Sequence, residues 1–209
     1  MKILIIGATG PLGNEILKLT KERSFEVSAL ARNPNALSEF QNDVKVFKGD
    51  VFDVESLKNA MTGVDAVISA FGLSLTRKPT TLLSEGTKKV VQAMKESNVK
   101  RFICVTGIGA GDSKGHGGFL FDHILEPLLL HEMYKDKTRQ EEIVRGSGLD
   151  WTIVRPAVLS NAGLTGTYKV QIDLTGFKAT KISRKDVADF LLKEAIMPKY
   201  QGQSPTLTA

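Results

Sequence analysis

Four apolar residues, Ile3-Leu4-Ile5-Ile6, run straight into Gly7-Ala8-Thr9-Gly10-Pro11-Leu12-Gly13. A short apolar run that ends in glycine and resumes at proline reads as a buried parallel strand, a tight reversal and the first turn of a helix. That junction brings free backbone NH groups and the positive end of a helix to one point, where a pyrophosphate is stabilised. Gly7 suits the tight turn, Gly10 keeps a side chain away from the phosphates, and Gly13 lets the helix lie close on the strand. Pro11 fits a first helical turn, where its missing NH costs nothing. Glycine trios also make ordinary turns, but the strand and helix around this one favour a dinucleotide.

The next strand, Glu26-Val27-Ser28-Ala29-Leu30, leads into Ala31-Arg32-Asn33-Pro34. An NAD-binding chain carries a carboxylate near this point for the ribose hydroxyls. Arg32 offers instead a planar cation that pairs with a 2'-phosphate and stacks on adenine, so NADP is the expected cofactor.

Further strand patterns follow at Val44-Lys45-Val46-Phe47, at residues 65–70 and 101–106, and at Trp151-Thr152-Ile153-Val154-Arg155. Helical patterns separate them, over residues 53–61 and 83–97, and a last helix is expected from an N-cap at Ser183 to residue 197. This alternation predicts one α/β domain over residues 1–209, a Rossmann-like, doubly wound parallel sheet with flanking helices. Residues 107–135 read as a lid-like glycine loop and apolar helix, and residues 157–182 and 200–209 as a small substrate-side extension. In such sheets ligands lie beyond the carboxyl ends of the strands. Asp50 and Val51 stand at one such end, to bond and cover an adenine, or with Asp50 as a turn residue. The small residues of Ala70-Phe71-Gly72 stand at another, beside the cofactor's second half.

The formal net charge of +5 is scattered among acidic residues without a dense basic block, which argues against nucleic-acid binding. No apolar run reaches the roughly 20 residues of a membrane span, and Met1-Lys2 leads directly into the first strand, so a cytoplasmic protein is expected. The single cysteine, Cys104, sits in an apolar strand and suits core packing. His116, His123 and His131 lack an accompanying acidic ligand cluster, and no metal site is expected. The partner expected is a small-molecule substrate, on a monomer or homodimer.

Several stretches together resemble the atypical short-chain dehydrogenases with an NAD(P)H-binding, NmrA-like domain, the branch that includes flavin and biliverdin reductases. They are Gly49-Asp50-Val51, Ser84-Glu85-Gly86, the run from Ser147 to Pro156, and Leu164-Thr165-Gly166-Thr167-Tyr168. The resemblance covers nearly the whole chain. It implies an open cleft beside the nicotinamide that accepts flat conjugated molecules. It also implies that Gly7, Thr9, Gly10, Leu12, Gly13, Arg32, Asp50, Val51, Ala70, Phe71, Gly72, Thr106 and Pro156 surround the cofactor, joined by Pro11 and Lys137.

The departures from the superfamily carry equal weight. Its Tyr-x-x-x-Lys pair, in which lysine lowers the phenol's pKa, would align with Met133 and Lys137. Tyr134 stands one residue later, about 100° around the helix. The superfamily's active-site serine is replaced by Thr106 followed by Gly107, and a histidine known in the flavin reductase branch is replaced by Val158. Thr106, Lys137 and Tyr134 remain the candidate catalytic residues. Interconverting a ketone and an alcohol needs a positioned proton donor, whereas a flavin, quinone or tetrapyrrole delocalises charge and takes its proton from water. The reading is an NADPH-dependent reductase of a small conjugated acceptor. The alternative is a non-catalytic NADP(H)-binding redox sensor of the NmrA-like type.

Overall fold

Alternating apolar strands and amphipathic helices build a sheet covered on both faces. The computed structural model describes residues 1–23, 25–177 and 179–209. Its strands are β1 (Lys2–Ile6), β2 (Glu26–Ala31), β3 (Val44–Lys48), β4 (Ala66–Ser69), β5 (Arg101–Val105), β6 (Asp150–Pro156), β7 (Val158–Ser160), β8 (Lys169–Gln171), β9 (Lys181–Ser183) and β10 (Thr206–Thr208). The helices are α1 (Pro11–Glu22), α2 (Val54–Ala60), α3 (Leu82–Glu96), α4 (His131–Arg145) and α5 (Arg184–Ile196). The main sheet runs β3-β2-β1-β4-β5-β6-β10-β8, and β7 pairs with β9 in a separate parallel ribbon.

Pairing in the main sheet is parallel except at the edge, where β8 runs antiparallel to β10. The order reverses between β1 and β4, and that switch point opens the crevice in which ligands of doubly wound sheets sit. One core packs α1 and α5 through Ile16, Leu17, Val187 and Leu191 against Ile3, Ile5 and Ile103. The other packs α2 and α3 through Leu57, Val90 and Met94 against Leu4, Ile6, Phe102 and Cys104.

The expected strands and helices are present, with two corrections. Residues 200–209 are not an extension: β10 lies inside the sheet between β6 and β8, with Leu207 fully buried. The apolar stretch before Lys137 is not one helix either. Phe121–Leu130 winds as a π-helix with Pro127 inside it and then passes into α4. Pro127 removes a helical donor, and the wider turn accommodates its ring. This segment buries only Glu126, and Phe119 and Leu128 are 77% and 66% exposed.

Ser183 caps α5 as expected, its side chain accepting from the Asp186 NH. Asp186 in turn accepts from the NH groups of Thr165 and Gly166, at 2.8 and 2.9 Å, and so ties the Leu164-Thr165-Gly166 turn to the helix.

Candidate active site

The crevice is walled first by the glycine turn. Gly7 has a φ of +89°, and a Cβ on it would stand 2.4 Å from the Phe71 nitrogen, so both the turn and the close passage of the chain after β4 require glycine. A Cβ on Gly13 would fall 2.2 Å from the Gly7 carbonyl oxygen, which is the close helix-to-strand approach read from the sequence. Gly10 differs. A Cβ there would meet only the Gly7 oxygen, at 3.3 Å, so its bareness serves the open side of the turn. Gly10 caps α1 without a side-chain bond and Pro11 occupies the first turn, so the following NH groups face a cradle that fits a pyrophosphate.

Gly7, Thr9, Gly10, Arg32, Asp50, Val51, Ala70, Phe71 and Gly72 line one cleft, from the glycine turn to the ends of β2, β3 and β4. Gly86 of α3 backs it: a Cβ there would lie 3.1 and 3.2 Å from Phe71 and Val51 side-chain atoms. Asp50 lines the cleft and also accepts from the Phe52 NH at 3.0 Å, so its cleft and turn placements coexist.

A second cleft, of about 460 Å³, opens from the same turn past Pro11, Leu12, Ala70, Phe71, Gly72, Thr106 and Lys137. That volume suits a small-molecule site. Met133, Leu73, Leu83 and Leu159 give it apolar walls, and Gln140 and Arg184 also reach it. Two expected cofactor residues do not line either cleft: Gly13 is buried behind the turn, and Pro156 is buried at the end of β6, where its carbonyl accepts from the Ile108 NH.

The three catalytic candidates lie together, with Lys137 Nζ 4.7 Å from the Tyr134 ring centroid and bonded to the Thr106 carbonyl, but they face different groups. Lys137 lines the second cleft with Met133, one helical turn away. Its ammonium donates to the Thr106 carbonyl at 2.8 Å, and burial, opposed by the attraction of Glu141, lowers its pKa to about 8. Thr106 reaches the cleft, but its hydroxyl donates to buried Glu141 at 2.8 Å and so has no proton left for a substrate. Tyr134 does not line the cleft; its ring packs edge-on against Phe121 under the glycine loop. Burial raises its pKa, the reverse of what a lysine-activated phenol requires.

A buried ionic network underlies this arrangement. Glu141, fully buried, accepts from Arg155 Nε at 2.9 Å, and Arg155 reaches on to Asp112 in the glycine loop. Hydrogen bonding from Arg155 holds the Asp112 carboxyl down at about 2. Asp136, also fully buried, accepts from the Leu83 and Ser84 NH groups at 2.8 and 3.3 Å and so caps α3 from α4. None of these links was read from the sequence. The available signal was the spacing of Asp136, Gln140 and Val144, which follows a helix face.

A glycine-cradled crevice at the switch point of a doubly wound sheet defines a dinucleotide-binding α/β protein. The chain belongs to the NAD(P)H-binding family, whose model matches residues 7–198. It is similar to the uncharacterized protein YwnB of Bacillus subtilis, 30% identical over 100% of this chain and 99% of that one. It is similar also to the NAD(P)H azoreductase of Xenophilus azovorans, 24% identical over 99% of this chain and 67% of that one. Among solved structures, the oxidoreductase ylbE of Lactococcus lactis superposes with a TM-score of 0.84 at 26% identity, over 100% of this chain and 90% of that one. The family is one of NAD(P)H-binding oxidoreductases, and reductases are among its members.

Proposed function

We propose that the protein is an NADPH-dependent reductase of a small conjugated acceptor: a flavin, a quinone or a tetrapyrrole. The observation that carries this reading is the composition of the second cleft. Met133 occupies the place of the superfamily's tyrosine, Thr106 spends its proton on Glu141, and Leu73, Leu83, Val105 and Leu159 give the cleft apolar walls. Of the two hydroxyls in the cleft lining, Thr106 is committed to Glu141 and Ser74 lies on the loop after β4, so no tyrosine stands ready for a carbonyl oxygen, whereas a conjugated ring spreads the incoming charge and draws its proton from water. Bound NADPH supplies the reducing equivalent. Lys137, held by the Thr106 carbonyl, places a positive charge beside the cleft, and Arg32 at the end of β2 suits the 2'-phosphate. The similarity to an NAD(P)H azoreductase supports the reductase part of this reading.

The replacement of the superfamily's tyrosine by Met133 equally supports a second reading, a protein that binds NADP(H) without turnover and reports redox balance. Oxidation of NADPH, followed at the nicotinamide absorbance with flavin mononucleotide, biliverdin and a simple quinone in turn, separates the two. Turnover with any of them is the expected result. Tight NADPH binding with no turnover on all three selects the sensor.

A further inference from the structure

A third cavity, of about 330 Å³, adjoins the glycine turn on its outer side. Thr9, Gly10, Pro11 and Asn14 form one wall, and Asn161, Arg184 and Lys185 face them. The parallel pairing of β7 with β9 sets Ser160 opposite Ser183, so the residues that follow, Asn161 and Arg184, emerge side by side. Arg184 Nη1 donates to Asn161 Oδ1 at 2.7 Å, which steadies the guanidinium without neutralising it. Among the described residues neither Arg184 nor Lys185 has an ion-pair partner, and Glu15, the carboxylate of this cavity, is 3.0 Å from Lys18.

Both cations stand in the first turn of α5, where the helix dipole disfavours positive charge, and the carboxylate of that turn, Asp186, is turned to Ser183 and to the Thr165 and Gly166 NH groups. An anion in the cavity would offset that cost. Arg184 also lines the second cleft, with Leu159, Met133 and Lys137, so its guanidinium joins the two spaces. A bound pyrophosphate would have the NH groups of the glycine turn, and Arg184 stands on the opposite wall, shared with the second cleft.

We infer that Arg184, assisted by Lys185, is a specificity-determining residue that selects acceptors carrying a phosphate or carboxylate, with the conjugated ring lying along the apolar walls. The inference rests on the reductase reading for the identity of the ligand, but its test does not require turnover.

The protein saturated with NADP+ is titrated by equilibrium dialysis with two matched pairs. Flavin mononucleotide and riboflavin differ in a phosphate; biliverdin and its dimethyl ester differ in two carboxylates. The expected result is at least tenfold tighter binding of the anionic member in one pair or both, and which pair responds tells phosphate from carboxylate. Arg184→Gln is expected to bring that preference to within about twofold, and Lys185→Gln to reduce it partly, with NADPH affinity unchanged. No charge preference in either pair, whether both members bind equally or neither binds, overturns the inference. A tenfold loss of NADPH affinity in Arg184→Gln also overturns it, by assigning the guanidinium to the cofactor. A charge preference without NADPH oxidation on any acceptor would leave the anion site standing and remove the reductase reading alone.

Discussion

Arg32 is exposed at the rim of the adenosine cleft, and among the described residues it has no ion-pair partner. A free guanidinium there should favour the phosphorylated cofactor, so Arg32→Glu is expected to weaken NADPH binding at least tenfold, roughly 1.4 kcal/mol, while sparing NADH. Equal affinities for the two cofactors in the unaltered protein would remove the basis of this expectation. Lys137 gives a pH signature. Its folded-state pKa, lowered by burial to about 8, lies below the ordinary lysine value, so the charge at Nζ is present below that pH and lost as the pH rises through it. Turnover should therefore fall on the alkaline side with that midpoint, and Lys137→Met should give a low, flat profile. Tyr134→Phe is expected to keep turnover within about twofold of the parent, since the ring, though beside Lys137, packs on Phe121 and is not part of the cleft lining. A hundredfold loss in that variant would restore the tyrosine as the proton donor.

At the scale of elements, Asp112 ties the glycine loop to the sheet and to α4, beside the loop's own bonds through Ser113 and Thr138. This carboxylate bonds to Arg155 and also to Arg145 of α4, at 2.7 Å. With a folded-state pKa lowered to about 2, the anchor is fully present above the ordinary aspartate range and is lost as the pH falls toward that value. Asp112→Asn is expected to speed protease cleavage within residues 107–130 at neutral pH and to leave cleavage elsewhere unchanged; equal cleavage rates would show that the loop is held by other contacts. The elements themselves were legible to different degrees. Strands β1, β2, β4 and β5 read clearly because strands buried on both faces are continuous apolar runs. Helix α4 hid its role, because the residues it buries include Asp136, Gln140 and Glu141, which composition alone assigns to solvent. The glycine turn was legible down to the reason for Gly13, whereas the Glu141 to Thr106 bond joins residues 35 apart in sequence and leaves no local trace.

Over the whole molecule, the sheet is completed by a strand that the sequence concealed. Thr206-Leu207-Thr208 is too short and too polar to stand out, yet β10 pairs with β6 through Thr206 and Arg155 and bridges it to β8. Removing residues 200–209 would expose the edge of β6 and uncover the core beneath Leu207. The truncated chain is expected to lose its cooperative thermal transition; a sharp melt with intact NADPH affinity would show that the strand is dispensable. No helix among the described residues is long and apolar enough to cross a membrane. The center of the sheet also holds the single cysteine. Cys104 lies in β5 between Ser69 of β4 and Ile153 of β6, fully buried, and burial raises its thiol pKa. A thiol kept protonated and out of reach does not react with an alkylating reagent until the strands on either side part. The protein thus carries a natural clock for its own opening: the rate at which Cys104 is labelled at rising temperature, with and without NADPH, would report how far the bound cofactor keeps the sheet shut.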